Sequence, residues 1–334
     1  MREEPTNPIP VFVVGLARSG TKLFRNLLTN HSQIYIPPAE TNFFPYFIGR
    51  IPLGNGGLTN RQKELFKAWY FKSVFVDRME EFGRVIDEKK LDACLSENSW
   101  NAIFSSLIRA FAGADGKKNI SYWGDKTPIY LRYMPLLKKE FPTARFIHIM
   151  RDPRDRALSA NKAWGADPIL AAARWNEQVR QASSQANALS SDYMEVTYEK
   201  LLDAPEETMQ GVARFLDVPF EDGMLELKAP VENQGDSESK TRRSAEIVRD
   251  NKHKFLAGAD MSLIRKMEEV ALPSMKEKRY EPVTGNLDHR PLGRAERMLR
   301  SVKDDAFSFI YHIQRWGSVK GIKLSWERYK LKKI

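Results

Sequence analysis

Cysteine is almost absent from this chain. Cys94 is the only one in 334 residues, which excludes an intramolecular disulfide and any metal cluster built on thiolates. Long apolar runs are missing as well, and no stretch approaches the roughly 20 apolar residues that span a bilayer. The N-terminus, Met1-Arg-Glu-Glu-Pro, lacks the apolar core of a secretory signal. There is no internal repeat, no low-complexity tract and no signature of an oligomeric state. These absences point to a soluble globular protein of the cytoplasm.

Charge is what the chain has in excess, with a formal net of +10. Such a balance raises the question of nucleic acid, but its location argues against it. Residues 314–334 hold seven basic side chains (Arg315, Lys320, Lys323, Arg328, Lys330, Lys332 and Lys333) against the single acid Glu327. The main body is therefore nearly balanced, and polyanion binding by it is not implied.

Apolar, β-branched runs at residues 11–14, 145–150 and 193–198 read as buried parallel strands. Each is followed by a helical pattern, at residues 21–30, 154–163 and 205–216. That alternation predicts an α/β fold, a three-layer sandwich with a central parallel sheet flanked by helices. A helical insertion rich in aromatics occupies about residues 59–112, and Cys94 and His148 read as core residues. Further helices are expected at 168–190 and 244–272, with a polar loop at 235–240. Residues 1–284 then form the main domain. Residues 285–334 form a basic amphipathic appendage, in which Leu292, Ala295, Leu299, Val302, Ala306, Phe309, Ile310 and Ile313 keep the helical period. It packs on the body, on a partner or on an anionic membrane surface.

The chemistry concentrates where the first strand ends. Pro10-Val-Phe-Val-Val-Gly15-Leu-Ala-Arg18-Ser19-Gly20-Thr21-Lys22 has the layout of a strand, a phosphate-cradling loop and a helix start. The first N–H groups of a helix lack intrahelical partners and attract an anion. A P-loop needs lysine directly after its second glycine, followed by Ser or Thr. Here Thr21 and Lys22 stand in the other order, P-loop-like but transposed. A second anion site follows residues 145–150. Arg151 at a strand end can pair with a phosphate, and Ser159 can donate a hydroxyl. Asp152 and Pro153 supply an N-cap and a proline at the first helical position. Both sites are expected at the C-terminal edge of the sheet, where α/β proteins bind ligands.

These segments resemble the PAPS-dependent sulfotransferases, PAPS being 3′-phosphoadenosine 5′-phosphosulfate. Gly15-Leu-Ala-Arg-Ser-Gly-Thr21 is similar to their 5′-phosphosulfate loop, and Phe146-Ile-His-Ile-Met-Arg-Asp-Pro-Arg-Asp-Arg-Ala-Leu-Ser159 to their 3′-phosphate motif. Pro37-Pro-Ala-Glu40-Thr-Asn-Phe-Phe44 and Gly124-Asp-Lys126-Thr-Pro-Ile-Tyr130 resemble segments of the carbohydrate branch, in the same order. Val196-Thr-Tyr198-Glu-Lys-Leu-Leu202 matches the pattern after the third strand. The resemblance covers about residues 9–282.

The resemblance implies that a sulfuryl group moves from PAPS to a hydroxyl, releasing adenosine 3′,5′-bisphosphate, with no metal required. Glu40 is then the base, its pKa lifted by the neighbouring Phe43 and Phe44. Lys126 and Arg18 stabilise the phosphosulfate. Arg18, Ser19, Gly20, Thr21 and Lys22 hold its 5′ end, Arg151 and Ser159 the 3′-phosphate, and Tyr198 the adenine, while Arg242 and Arg243 close over the nucleotide. Alanine at 39 replaces a lysine common in the family, and Lys22 is read as its electrostatic substitute. The acceptor is read as a carbohydrate, with a small hydroxylated metabolite as the alternative. A P-loop kinase or NTPase, and a non-catalytic protein docking to membranes or partners through residues 314–334, are the competing readings.

Overall fold

The computed structural model describes residues 8–44, 53, 56–227 and 247–333. By contacts these fall into two compact units. The first unit holds the sheet. Strand β1 (Ile9–Val14) leads to helix α1 (Thr21–Thr29) and strand β2 (Ile34–Tyr35). Four helices of the insertion follow: α2 (Asn60–Tyr70), α3 (Val74–Glu81), α4 (Glu88–Cys94) and α5 (Trp100–Ala114). Then come β3 (Tyr122–Asp125), α6 (Met134–Glu140) and β4 (Arg145–Met150). The second unit contains the turn residues Leu16–Ser19, helix α7 (Pro153–Trp164) and most of α8 (Pro168–Leu189). The chain returns to the first unit with β5 (Tyr193–Thr197), α9 (Tyr198–Asp203) and α10 (Pro205–Phe215), and ends in the second with α11 (Met261–Glu277) and α12 (Arg294–Lys333).

The strands lie in the order β2-β3-β1-β4-β5. β1 runs parallel to both β3 and β4, and β2 runs parallel to β3, with Ile34 opposite Tyr122 and Val14 opposite His148. Both faces of β1 are buried, which is why its sequence is continuously apolar. Val11 and Val13 pack in one core with Phe24, Leu27 and Leu28 of α1 and with Met209 and Val212 of α10. Phe12, from the other face, stacks on Phe146 with ring centroids 5.5 Å apart and meets the edges of Phe44, Trp123 and Phe141. Removing such a ring from a core costs about 3–5 kcal/mol, so Phe12 is a principal anchor of the central strand.

The insertion helices start where side chains can cap them. Ser73, Asp87 and Ser99 each accept a hydrogen bond from the first turn, and Thr59 with Gln62 forms a full capping box. Phe66, Trp69, Phe75 and Phe104 gather around Phe43, so the aromatic richness of this segment serves packing. Cys94 is buried, with the Ser106 hydroxyl 3.5 Å from its sulfur. His148 is buried, with Nδ1 2.7 Å from the Tyr193 hydroxyl. Both are core residues, as their sequence context predicts.

Three expectations change. β2 and β3 escape a reading by periodicity because two and four residues are too few to show one. β5 is half-buried and lies at the sheet edge, not in its interior. The helix expected from residue 244 is described only from Met261, where the Asp260 side chain accepts from the Ser262 N–H at 2.8 Å. The polar loop at 235–240 lies outside the described residues. Residues 285–333 belong by contacts to the second unit, and α12 breaks at Gly317, whose φ of 77° and ψ of 166° are not helical. No helix among the described residues is long and apolar enough to cross a membrane.

Candidate active site

The turn between β1 and α1 is built on close backbone approach. A Cβ on Gly15 would stand 2.3 Å from the Ile149 carbonyl oxygen. Gly20 has φ +89°, and a Cβ there would stand 2.3 Å from the Tyr198 ring. Gly20 is the N-cap of α1, and no side chain caps that helix, which also has no acid in its first turn. Its first N–H groups therefore meet no acidic side chain from the helix's own first turn. Thr21 is buried and Lys22 exposed. The Ser19 hydroxyl is fully buried and has no hydrogen-bond partner. A buried polar atom left unpaired costs about 1–3 kcal/mol, so a donor kept this way suits an incoming anionic oxygen. The turn is thus fit for a phosphate or sulfate.

Glu40 and Lys126 follow two neighbouring parallel strands, β2 and β3, and so leave the same edge of the sheet. Lys126 is only 1% exposed, and its Nζ lies 2.5 Å from Glu40 Oε1; the Glu40 side chain keeps 38% exposure. A buried ammonium needs such a partner, and the carboxylate remains open on its other side. Phe43 and Phe44 turn their rings into the core. The neighbour in contact with the Glu40 carboxylate is a cation, and alanine at 39 leaves it with one.

Two further residues shape this corner. Asp125 accepts hydrogen bonds from Thr41 and, at 2.7 Å, from Thr127, while Thr41 also lies 2.8 Å from the Tyr130 hydroxyl. Burial pushes the Asp125 carboxyl up to about 6, against the opposing pull of the two threonines and Lys126. Arg25, on the buried side of α1, is drawn down to about 10 by burial, with Tyr35 and Glu40 acting the other way. An arginine at a position whose helical neighbours are Phe24, Leu27 and Leu28 is the signal for it in the sequence.

The raised Asp125 carboxyl makes a pH prediction. The folded state holds a proton that the unfolded chain releases near pH 4, so this group's contribution to stability falls as pH rises from about 4 through 6. Urea unfolding at both ends of that window should show the wild type losing stability relative to Asp125→Asn as pH rises. A constant difference between the two would refute the assignment.

In the second unit, Arg18 holds φ +77° and donates from Nε to Ser159 Oγ at 3.1 Å. Its guanidinium lies 5.6 Å from the centre of the Trp164 ring. The sequence reading assigned Arg18 and Ser159 to opposite ends of the nucleotide; the structure joins them by one hydrogen bond. Arg151 donates to the Asn251 carbonyl at 3.0 Å and lies 3.4 Å from Asp155. Asp152 caps α7 through the Arg154 N–H at 2.9 Å. The buried Arg156 donates to the carbonyls of Ala17 (3.2 Å) and Ala171 (2.9 Å), tying the turn residues to α8. Sequence motifs did not single out Arg156, because its partners are backbone atoms. Arg242 and Arg243 lie outside the described residues.

A parallel α/β sheet with a Gly/Ser turn after β1, a carboxylate–lysine pair after β2 and β3, and an arginine after β4 is the layout of a phosphate-loop-like fold. The family model described as the sulfotransferase family matches residues 10–222, and the chain belongs to that family. Protein-tyrosine sulfotransferase 1 of Danio rerio is 25% identical over 246 residues, covering 71% of this chain and 61% of that protein. A putative protein-tyrosine sulfotransferase of Caenorhabditis elegans is 29% identical over 108 residues, covering 30% of this chain and 42% of that one. These matches thus span less than two thirds of either relative's length. Among solved structures, the sulfotransferase domain of the Synechococcus PCC 7002 olefin synthase superposes with a TM-score of 0.49 at 20% identity, covering 81% of this chain and 98% of that domain.

Proposed function

We propose that this chain is a PAPS-dependent sulfotransferase in which Glu40 is the base and Lys126 the cation at the reacting group. The observation that carries the reading is the contact between Lys126 Nζ and Glu40 Oε1 at 2.5 Å, with the lysine buried and the carboxylate open. PAPS supplies the activated sulfuryl group and a phosphate leaving group. Glu40 takes the proton of the acceptor hydroxyl as that oxygen bonds to sulfur. Lys126 meets the negative charge that builds as the sulfur–oxygen bond to phosphate breaks. Ser19, Gly20, Thr21, Lys22 and Arg18 are assigned to the 5′-phosphosulfate, Arg151 and Ser159 to the 3′-phosphate, and Tyr198 to the adenine. Arg242 and Arg243 are assigned to closure over the nucleotide.

The acceptor is read first as a carbohydrate hydroxyl, from the segments around Glu40 and Lys126. The names of the relatives favour a second reading, the phenol of a protein tyrosine. The scarcity of cysteine supports a cytoplasmic setting, with residues 314–334 as the membrane-facing end. Transfer of labelled sulfate from PAPS to glycans, tyrosine peptides, simple phenols and aliphatic alcohols tests the acceptor. Calorimetric titration tests the donor: adenosine 3′,5′-bisphosphate should bind at least about tenfold more tightly than ATP, a difference of about 1.4 kcal/mol. Tight ATP binding without bisphosphate binding would establish the kinase or NTPase reading instead.

A further inference from the structure

An amphipathic helix packed on a globular body normally buries its apolar face. The last helix of this chain does the reverse. At about 100° per residue, Leu299, Val302, Ala306, Phe309 and Ile310 form one stripe. The residues that hold α12 to its own unit lie on roughly the opposite side. Arg297 pairs with Glu177, Arg300 lies 2.7 Å from Asp167, and Asp304 lies 2.7 Å from Arg174. Asp304 is 3% exposed, whereas Leu299 is 60%, Val302 59% and Met298 70% exposed. Phe309 and Ile310 are exposed too, as are Ile322 and Trp326 beyond the break at Gly317. The charged face is inside and the apolar face outside.

Charge selects the occupant of this outward face. Residues 294–333 carry eleven basic side chains against four acidic ones, a net of +7. Residues 294–313, which carry the stripe, hold a net of +1 and residues 315–333 the other +6, so a second copy would set one positively charged helix end beside another, and like charges at close range repel. An uncharged apolar partner would bury the stripe but offer no complement to the positive charge of residues 315–333. An anionic lipid surface answers both features, since it takes apolar side chains at the headgroup boundary and attracts Lys and Arg around them. We propose that α12 docks this protein on an anionic membrane surface through the outward stripe around Leu299, Val302, Phe309 and Ile310. The proposal stands on packing and charge and is independent of the sulfuryl-transfer reading.

The test is co-sedimentation of the full chain with phosphatidylcholine vesicles, with and without phosphatidylserine, at physiological ionic strength. Pelleting should require phosphatidylserine and weaken as salt is raised. The triple variant Leu299→Ser, Val302→Ser, Phe309→Ser should partition at least about tenfold less, with an unchanged thermal melt because these side chains are exposed. Its transfer activity on a freely diffusing acceptor should match the wild type, so failure of the catalytic reading would show separately. The proposal is overturned if the wild type does not pellet with anionic vesicles, or if the variant pellets equally. It is also overturned if analytical ultracentrifugation shows a dimer that these substitutions abolish, which would assign the stripe to a second copy.

Discussion

Glu40→Gln is expected to lower kcat by about 10³-fold, within the range a general base contributes, and to leave adenosine 3′,5′-bisphosphate binding within about twofold. The substitution nearly preserves shape. The amide oxygen can still accept from Lys126, whose Nζ is 2.5 Å from the carboxylate oxygen it would replace. What is lost is the capacity to take the acceptor proton. The variant also leaves a buried ammonium facing a neutral group, so some loss of stability accompanies it. A thermal melt separates that cost from catalysis: the folded fraction at assay temperature sets the active concentration, and the remaining deficit is chemical. If kcat stays within about tenfold of wild type once the folded fraction is counted, Glu40 is not the base.

Lys126→Met should cost about 10²–10³-fold in kcat, the scale for removing one preorganised charge from a reacting centre. Methionine fills a similar volume at a position that is only 1% exposed, and the released Glu40 carboxylate, 38% exposed, can be hydrated. The fold should therefore survive. The informative measurement is the double variant with Glu40→Gln. Residues that act as one unit lose activity together, so the double variant should fall close to the worse single variant and not to the product of the two. Losses that multiply would mean that the carboxylate and the ammonium work in separate steps, and the paired mechanism would be wrong.

Much of this was legible along the chain. The run at residues 11–14 is apolar without alternation because β1 is covered on both faces, and the Gly/Ser turn stands directly after it, at the N-terminus of α1, where the pattern places it. Asp152 and Pro153 mark the start of α7 where they stand. Strands as short as β2 and β3 carry no periodicity, and their place in the sheet is set by parallel pairing with residues 88 to 113 positions away. Arg25 and Arg156 carry no motif for a related reason: each is a charge whose meaning depends on burial.

By itself the sequence determined the α/β alternation, the order of the candidate anion-binding segments and the membership of the sulfotransferase family. All of these are written in local pattern and spacing. Tertiary structure alone decided that Lys126 meets Glu40 across 86 positions, and that Arg18 rests on Ser159 across 141. It also decided that α12 turns its apolar stripe outward. The periodicity of α12 shows that two unlike faces exist; the ion pairs to Asp167, Arg174 and Glu177 decide which one is buried. Local pattern records what a residue can do, and long-range packing selects the partner it does it with.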